Sequence, residues 1–175
     1  GNGKVTAEIA SRIPEGSVVG VDSSAEMIGS ARHEFGPGAL PNLRFEVADA
    51  RQLPFRREFD LVVSFNALHW VPEQEQALRS IRSALRSHGT AQLRLVPAGQ
   101  RKSLENVIEE TRLSSRWARY YHGFGDPYLH LTPEQYQALA EKNGFHIDRV
   151  HTEANAWDFE SRAAFVAFGS VTFVE

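Results

Sequence analysis

Residues 59–71 read Phe-Asp-Leu-Val-Val-Ser-Phe-Asn-Ala-Leu-His-Trp-Val, and this stretch decides the fold. From Phe59 to Phe65 the chain is a nearly continuous apolar run. A strand with one face in water would alternate apolar and polar side chains. An unbroken run is expected of a parallel strand covered on both faces. The composition then swings within a few residues to Asn66, His69 and Trp70. In an open parallel sheet, ligands bind outside the carboxyl ends of the strands, so this swing falls where binding groups would gather. Core packing is the competing reading for Trp70.

Working outward, strand and helix patterns alternate. Upstream, Lys4–Ile13 places Val5, Ile9 and Ile13 at helical spacing before Pro14 and Gly16 end the run. Ser17–Asp22 is a short apolar strand finishing on an acid, and Ser23-Ser24 offers an N-cap for a helix over about 24–34, with Ala25, Ile28 and Ala31 inward. Residues 36–42 carry turn chemistry, and Leu43–Val47 reads as the next strand. Downstream, Glu73–Arg86 is an amphipathic helix with Ala77, Leu78, Ile81, Ala84 and Leu85 on one face. His88-Gly89 stops it, and Thr90–Val96 is a strand. Such alternation with short connections predicts a parallel, doubly wound sheet. Beyond it, residues 98–131 are irregular or helical and rich in aromatics: Trp117, Tyr120, Tyr121, Phe124 and Tyr128. A connection this long in a compact domain is usually functional, so it is expected to be a lid or acceptor segment. Thr132-Pro133-Glu134-Gln135 opens a helix that Asn143-Gly144 closes; Phe145–Asn155 reads as a strand and Phe159–Phe168 as a helix. With no repeat, linker or low-complexity stretch, residues 1–175 form one expected domain.

The bulk numbers narrow the classes. Hydrophobic residues at 42% and charged residues at 23% are ordinary globular composition. A net charge of −3 and a pI near 6.2 argue against a general nucleic-acid binder, which would carry a basic face. With no cysteine there is neither disulfide nor cysteine-based zinc site. The histidines form no helical pair with an acid of the kind metal sites use, so no metal is expected. No apolar run approaches the roughly 18 residues a membrane span needs. Gly1-Asn2-Gly3-Lys4 is neither a signal peptide nor an initiator sequence, so the sequence is expected to begin inside a gene product of the cytoplasm.

Four features fall at the expected ligand edge. Gly1-Asn2-Gly3 directly precedes a helix; glycines let backbone amides approach a ligand, and a helix N-terminus favours its negative groups. A plain glycine turn is the alternative. Asp22, nineteen residues after Gly3, ends the next strand, where a carboxylate can accept both hydroxyl hydrogens of a ribose; a helix-capping acid is the alternative. Asp49 lies just past the third strand between Ala48 and Ala50. It can accept from an exocyclic amine, and its small neighbours leave room for a flat base. The fourth feature is the 64–70 swing already described.

Taken together, Gly1-Asn2-Gly3, residues 18–24, residues 46–55 and residues 59–71 resemble the S-adenosylmethionine-binding motifs of class I methyltransferases, in the usual order and at the usual separation. The resemblance covers almost the whole chain and points most directly to the trans-aconitate and malonyl-thioester O-methyltransferase group. It implies an α/β fold with a doubly wound, mostly parallel sheet and S-adenosyl-L-methionine as cofactor. It further implies Gly1, Asn2 and Gly3 under the methionine part, Asp22 on the ribose, Ser23 and Met27 bordering the adenosine, and Asp49 on the adenine amine with Ala48 and Ala50 beside the ring. Asn66 would offer its backbone carbonyl to the methionyl ammonium. The family's motif begins with an acid and a further glycine on a central first strand, and neither is present. That strand is therefore expected to be absent from this sequence. The family's sheet ends in a hairpin, for which Phe145–Asn155 is one candidate member; Gly169–Glu175 is short for the other, so the C-terminus is expected to continue.

Two other functions compete. A nicotinamide-dependent oxidoreductase also uses a glycine loop and a ribose-binding acid, but the G-x-G-x-x-G fingerprint fails at Thr6. A cofactor-binding scaffold without catalysis is the second, since methyl transfer depends largely on alignment and leaves little catalytic signature. The acceptor implied by the resemblance is a small molecule, a carboxylic acid made into a methyl ester. His69, Trp70 and Tyr121 are candidates for positioning it, and Arg94, Arg116, Arg119 and His122 for clamping its charge.

Overall fold

The computed structural model describes residues 1–36, 38, 40–100 and 102–172. Pro37 and Ala39 of the predicted turn, Arg101 of the predicted lid segment and residues 173–175 lie outside the described residues. In chain order the elements are α1 (Lys4–Arg12), β1 (Val18–Asp22), α2 (Ala25–Glu34), β2 (Leu43–Val47), β3 (Phe59–Phe65), α3 (Gln74–Ala84), β4 (Leu85–Arg94), α4 (Leu104–Leu113), α5 (Pro133–Lys142) and α6 (Arg162–Thr172). Single 3₁₀ turns occupy Ala50–Gln52, Leu68–Trp70 and Ala118–Tyr120.

The strands form two parallel pairs. β1 runs beside β2 from Val18 opposite Leu43 to Asp22 opposite Val47, and β3 runs beside β4 to Phe65 opposite Arg94. Among the described residues no ladder joins the two pairs, as expected of a sheet without the central strand that the resemblance requires. α2 crosses from β1 to β2 and α3 from β3 to β4, the strand–helix–strand unit that keeps strands parallel. Each pair has its own apolar cluster. One gathers Ala7, Ala10, Ile28, Ala31, Leu43 and Phe45; the other centres on Leu53, Phe55, Leu68, Ala77, Ile81 and Leu85. Val19, Ala48 and Ala50 pack against the second cluster from the first pair's side.

Several expectations need correction. In α1 the buried residues are Ala7 and Ala10, whereas Val5 and Ile13 are exposed. The helix lies too close to its neighbours for large side chains: a Cβ at Gly3 would come within 2.8 Å of the Phe45 ring and 2.9 Å of Ala31. Gly3 also holds φ at 84°, which glycine alone adopts without strain. In α2, Ile28 and Ala31 face inward as predicted, but Ala25 is exposed. α3 stops at Ala84, and β4 starts directly at Leu85 rather than at Thr90. Leu85 pairs with Phe59, the register then slips, and Leu61 faces Thr90. Gly89 makes that bulge possible, since a Cβ there would meet the Phe59 carbonyl at 2.8 Å.

Phe145–Asn155 is not a strand. Its side chains alternate in burial from Phe145 to Asp148, but among the described residues it has no ladder partner, and the period alone does not make a strand. The final helix begins at Arg162 rather than Phe159. Phe159 instead packs on Phe165, ring centroids 5.4 Å apart. No helix among the described residues is long and apolar enough to cross a membrane.

Candidate active site

The carboxyl ends of β1, β2 and β3 carry the residues the sequence singled out. Ser24 caps α2 through its side chain, which accepts the Met27 N–H at 3.2 Å, while Ser24 donates its own N–H to Asp22 Oδ1 at 2.9 Å. That pins one carboxylate oxygen of Asp22. The other, Oδ2, meets the Gly1 nitrogen. Gly1 and Asp22, twenty-one positions apart in sequence, thus lie side by side at this edge. Next to them, Ala48 donates its N–H to the Asp22 carbonyl at 3.0 Å, which carries β2 directly into the Asp49 turn. Ser23 is exposed and Met27 half-buried at the head of α2. Asn2 accepts the Lys4 N–H at 3.4 Å. The two carboxylates therefore stand at and just past the ends of adjacent parallel strands, Asp22 closing β1 and Asp49 following β2.

Asp49 caps the 3₁₀ turn after β2 by accepting the Arg51 N–H at 2.8 Å. The Arg51 guanidinium closes on the same carboxylate, and Nη1 reaches Glu73 at 2.9 Å. The Arg51 side chain and its backbone N–H hold the Asp49 carboxyl below the usual carboxylate range, and the two acids raise the guanidinium in turn. Arg51 was not among the predicted site residues. Its place two residues after Asp49, at the start of a turn, is the signal that could have found it.

At the end of β3, Asn66 adopts a positive φ of 55°, a conformation asparagine tolerates better than most residues. Its N–H bonds the Arg94 carbonyl at 2.8 Å, extending the β3–β4 ladder by one rung. The chain then turns through Leu68–Trp70. His69 is 2% exposed. Its Nδ1 accepts the Val96 N–H at 3.4 Å, and its carbonyl accepts the Leu129 N–H at 2.9 Å. Burial pushes its imidazole pKa down, with Glu105 opposing and His130 adding to the shift. Gln74, a polar residue on the apolar stripe of α3 and buried there, donates to the carbonyls of Leu68 and Leu129 at 3.1 and 3.0 Å. It ties the 68–70 turn to the segment that returns before α5.

Trp70, 40% exposed, meets the Tyr128 ring edge-on at 4.5 Å, and Tyr128 stacks on His130 at 5.9 Å. Burial, with the acids Glu105, Asp126 and Glu109, pushes the Tyr128 hydroxyl up. Trp70 therefore joins the 98–131 segment through Tyr128. Tyr121 belongs to a different group, packing on Phe124 at 6.2 Å with the Arg112 guanidinium over its ring at 5.9 Å. Of the cationic candidates, Arg116 lies over Trp117 and Arg119 over Tyr120. Arg94, at the end of β4, neighbours Asn66.

A doubly wound arrangement with a glycine turn, two strand-ending acids and a functional turn after the next strand defines the class I methyltransferase type, whose cofactor is S-adenosylmethionine. The chain belongs to the methyltransferase domain family, which it matches over residues 1–89. Trans-aconitate 2-methyltransferase of Deinococcus radiodurans is 37% identical to it over 111 residues, covering 63% of this chain and 40% of that protein. The enzyme of the same name from Escherichia coli O7:K1 is 29% identical over 144 residues, covering 81% of this chain and 52% of its own length. The chain thus spans about half of these curated relatives. Among solved structures, a protein from Bacillus halodurans C-125 superposes with a TM-score of 0.68 at 14% identity, covering 97% of this chain and 75% of that one.

The residues present suit the cofactor. A diol and an exocyclic amine are hydrogen-bond donors, and Asp22 and Asp49 at neighbouring strand ends are acceptors.

Proposed function

We propose that this chain transfers the methyl group of S-adenosylmethionine to a carboxylate oxygen of a small organic acid in the cytoplasm, with no nucleic-acid partner. The observation that carries the reading is the pair of acceptor carboxylates at neighbouring strand ends, Asp22 closing β1 and Asp49 two residues past β2, in a chain whose relatives include enzymes named for trans-aconitate. The cofactor supplies an electrophilic methyl on a sulfonium. In this reading Gly1, Asn2, Gly3 and Asn66 border its amino-acid end, Asp22 and Ser23 its ribose, and Met27, Ala48, Asp49 and Ala50 its base.

A carboxylate is a nucleophile at neutral pH and needs no general base. The chain's task is then alignment, exclusion of water and a counter-charge. Trp70 and Tyr128 supply a wall, Tyr121 belongs to the outer part of the same segment, and Arg94 is the clamp. His69, neutral and spending Nδ1 on the backbone, orients the turn that carries Trp70 and takes no proton from the acceptor.

Calorimetry with S-adenosylhomocysteine and NAD tests the cofactor half. Only the first is expected to bind, and Asp22→Ala should weaken it by about 1.5–3 kcal/mol, the range for hydrogen bonds to a charged group. Turnover of methyl-labelled cofactor with trans-aconitate and a panel of small mono- and dicarboxylic acids tests the acceptor half. A methyl ester releases labelled methanol in alkali; a base-stable product would mean a hydroxyl, nitrogen or carbon acceptor and end the carboxylate reading.

A further inference from the structure

Arg51 engages both oxygens of the Asp49 carboxylate. Oδ1 accepts the Arg51 backbone N–H at 2.8 Å and Arg51 Nε at 3.0 Å. Oδ2 accepts Nε at 2.9 Å and Nη2 at 2.6 Å. These four contacts use three N–H groups, the single Nε–H being shared between the two oxygens, of the roughly four that an ionised carboxylate can accept. All but one come from the guanidinium. Its remaining nitrogen, Nη1, points elsewhere and donates to Glu73 Oε2 at 2.9 Å. Glu73 stands just before α3, three residues beyond Trp70. Arg51 is therefore strung between the second carboxylate of the cofactor edge and the loop that carries His69 and Trp70. The three side chains are 39–44% exposed, so the guanidinium can move without disturbing a core.

We infer that Arg51 is a positioning residue that competes with the cofactor's base for Asp49, and that it passes to Glu73 when an exocyclic amine arrives. The inference rests on the reading above, in which Asp49 meets the adenine amine. Two features make the exchange cheap. Glu73 is already in contact, so the guanidinium is never left without a carboxylate. The bonds given up are exposed ion-pair contacts, a kind worth only about a threefold to fivefold factor in an equilibrium constant. The exchange also has a direction. Base binding draws Arg51 toward Glu73 and so is felt at the head of α3, next to the acceptor wall.

A base carrying oxygen in place of the amine should behave in the opposite way. Such an oxygen accepts hydrogen bonds. It would be repelled by Asp49 and drawn to Arg51, so Arg51 should favour that base while hindering adenine.

The test is calorimetry with S-adenosylhomocysteine and its inosine analogue on the wild-type chain, Arg51→Met, Glu73→Gln and the double variant. Arg51→Met should bind the adenosine ligand about threefold to fivefold more tightly, the scale of the exposed contacts removed, and bind the inosine ligand more weakly. Glu73→Gln should weaken the adenosine ligand by a similar factor, because Arg51 then has only Asp49, and should have no effect once Arg51 is gone. Arg51→Gln, which keeps a polar side chain, should follow Arg51→Met. Weaker or unchanged adenosine binding in both Arg51 variants overturns the inference, as do equal shifts for the two ligands. A wild-type chain that binds neither ligand overturns the cofactor reading itself.

Discussion

His69 shows how a side chain of catalytic type can be assigned a role from its surroundings. The sequence marks it, by its place after a strand, as a candidate for positioning the acceptor. The structure surrounds it on every side. Trp70 and His130 flank its ring, at 6.0 and 5.8 Å, and the Val96 N–H takes Nδ1. Burial is the leading cause of its lowered pKa, so the neutral form is the one that folds. The sign of the pH dependence follows. The unfolded chain takes up a proton first as pH falls through the ordinary value of 6.5, while the folded chain resists until its lower pKa is reached. Stability from this group is therefore complete above that value and is lost as pH falls below it. His69→Asn keeps an acceptor for Val96 and removes the titration. The melting temperature of the wild type should drop relative to the variant between pH 7.5 and pH 5, and parallel curves would mean that His69 is protonated equally in both states.

Elements differ in how much of them was written locally. β2 and β3 have the predicted limits because each is bounded by turn residues, β2 as an alternating Leu-Arg-Phe-Glu-Val segment and β3 as a nearly continuous apolar run, and α3 buries the five apolar residues its period assigned, Leu85 just past its end included. The start of α5 is equally legible, since Thr132 and Gln135 form a reciprocal capping box that depends on residues three apart. What failed depends on partners distant in sequence. The face of α1 is chosen by Phe45 and Ala31, the start of β4 by Phe59, and the fate of residues 145–155 by the lack of a neighbouring strand among the described residues. The candidate site divides along the same line. Asp22, Asp49 and Asn66 could be read from strand ends, whereas Gln74 and the Arg51 bridge to Glu73 exist only once two elements meet. The predicted lid shows the same split, because Trp70 and Tyr121 fall into separate ring groups. Trp70→Ala should therefore lower methyl transfer at least about tenfold, an effect of alignment, with cofactor affinity little changed. It should couple to Tyr128→Ala by about 0.5–1.5 kcal/mol, the range for an aromatic pair. Tyr121→Ala, which removes the contact with Phe124, should combine additively with Trp70→Ala, as changes in separate groups do. Strong coupling between Tyr121 and Trp70 would place them in one wall. A loss of stability matching the loss of activity would make Trp70 a packing residue only.

Across the whole molecule, the two strand pairs set the pattern of stability. Among the described residues each pair is bounded by open edges, and each apolar cluster serves its own pair, with Val19, Ala48 and Ala50 as the apolar link between them. In a strand bonded on one side only, every second backbone N–H points away from its ladder and must find water. Amide exchange reads this directly, because protection reports the free energy of opening at each residue. In the 175-residue chain, β1 and β3 should therefore exchange in alternation, one amide slow and the next fast, while the interior amides of α3, beneath the larger cluster, remain slow throughout. Phe45→Ala should raise exchange in β1 and β2 and leave β3 and β4 nearly untouched, because the Phe45 ring packs within the first cluster alone. If β1 and β3 are instead protected at consecutive amides, a further strand lies bonded between them and the two pairs form one sheet. If Phe45→Ala loosens both pairs equally, the link through Val19 is strong enough to make the two clusters a single cooperative unit.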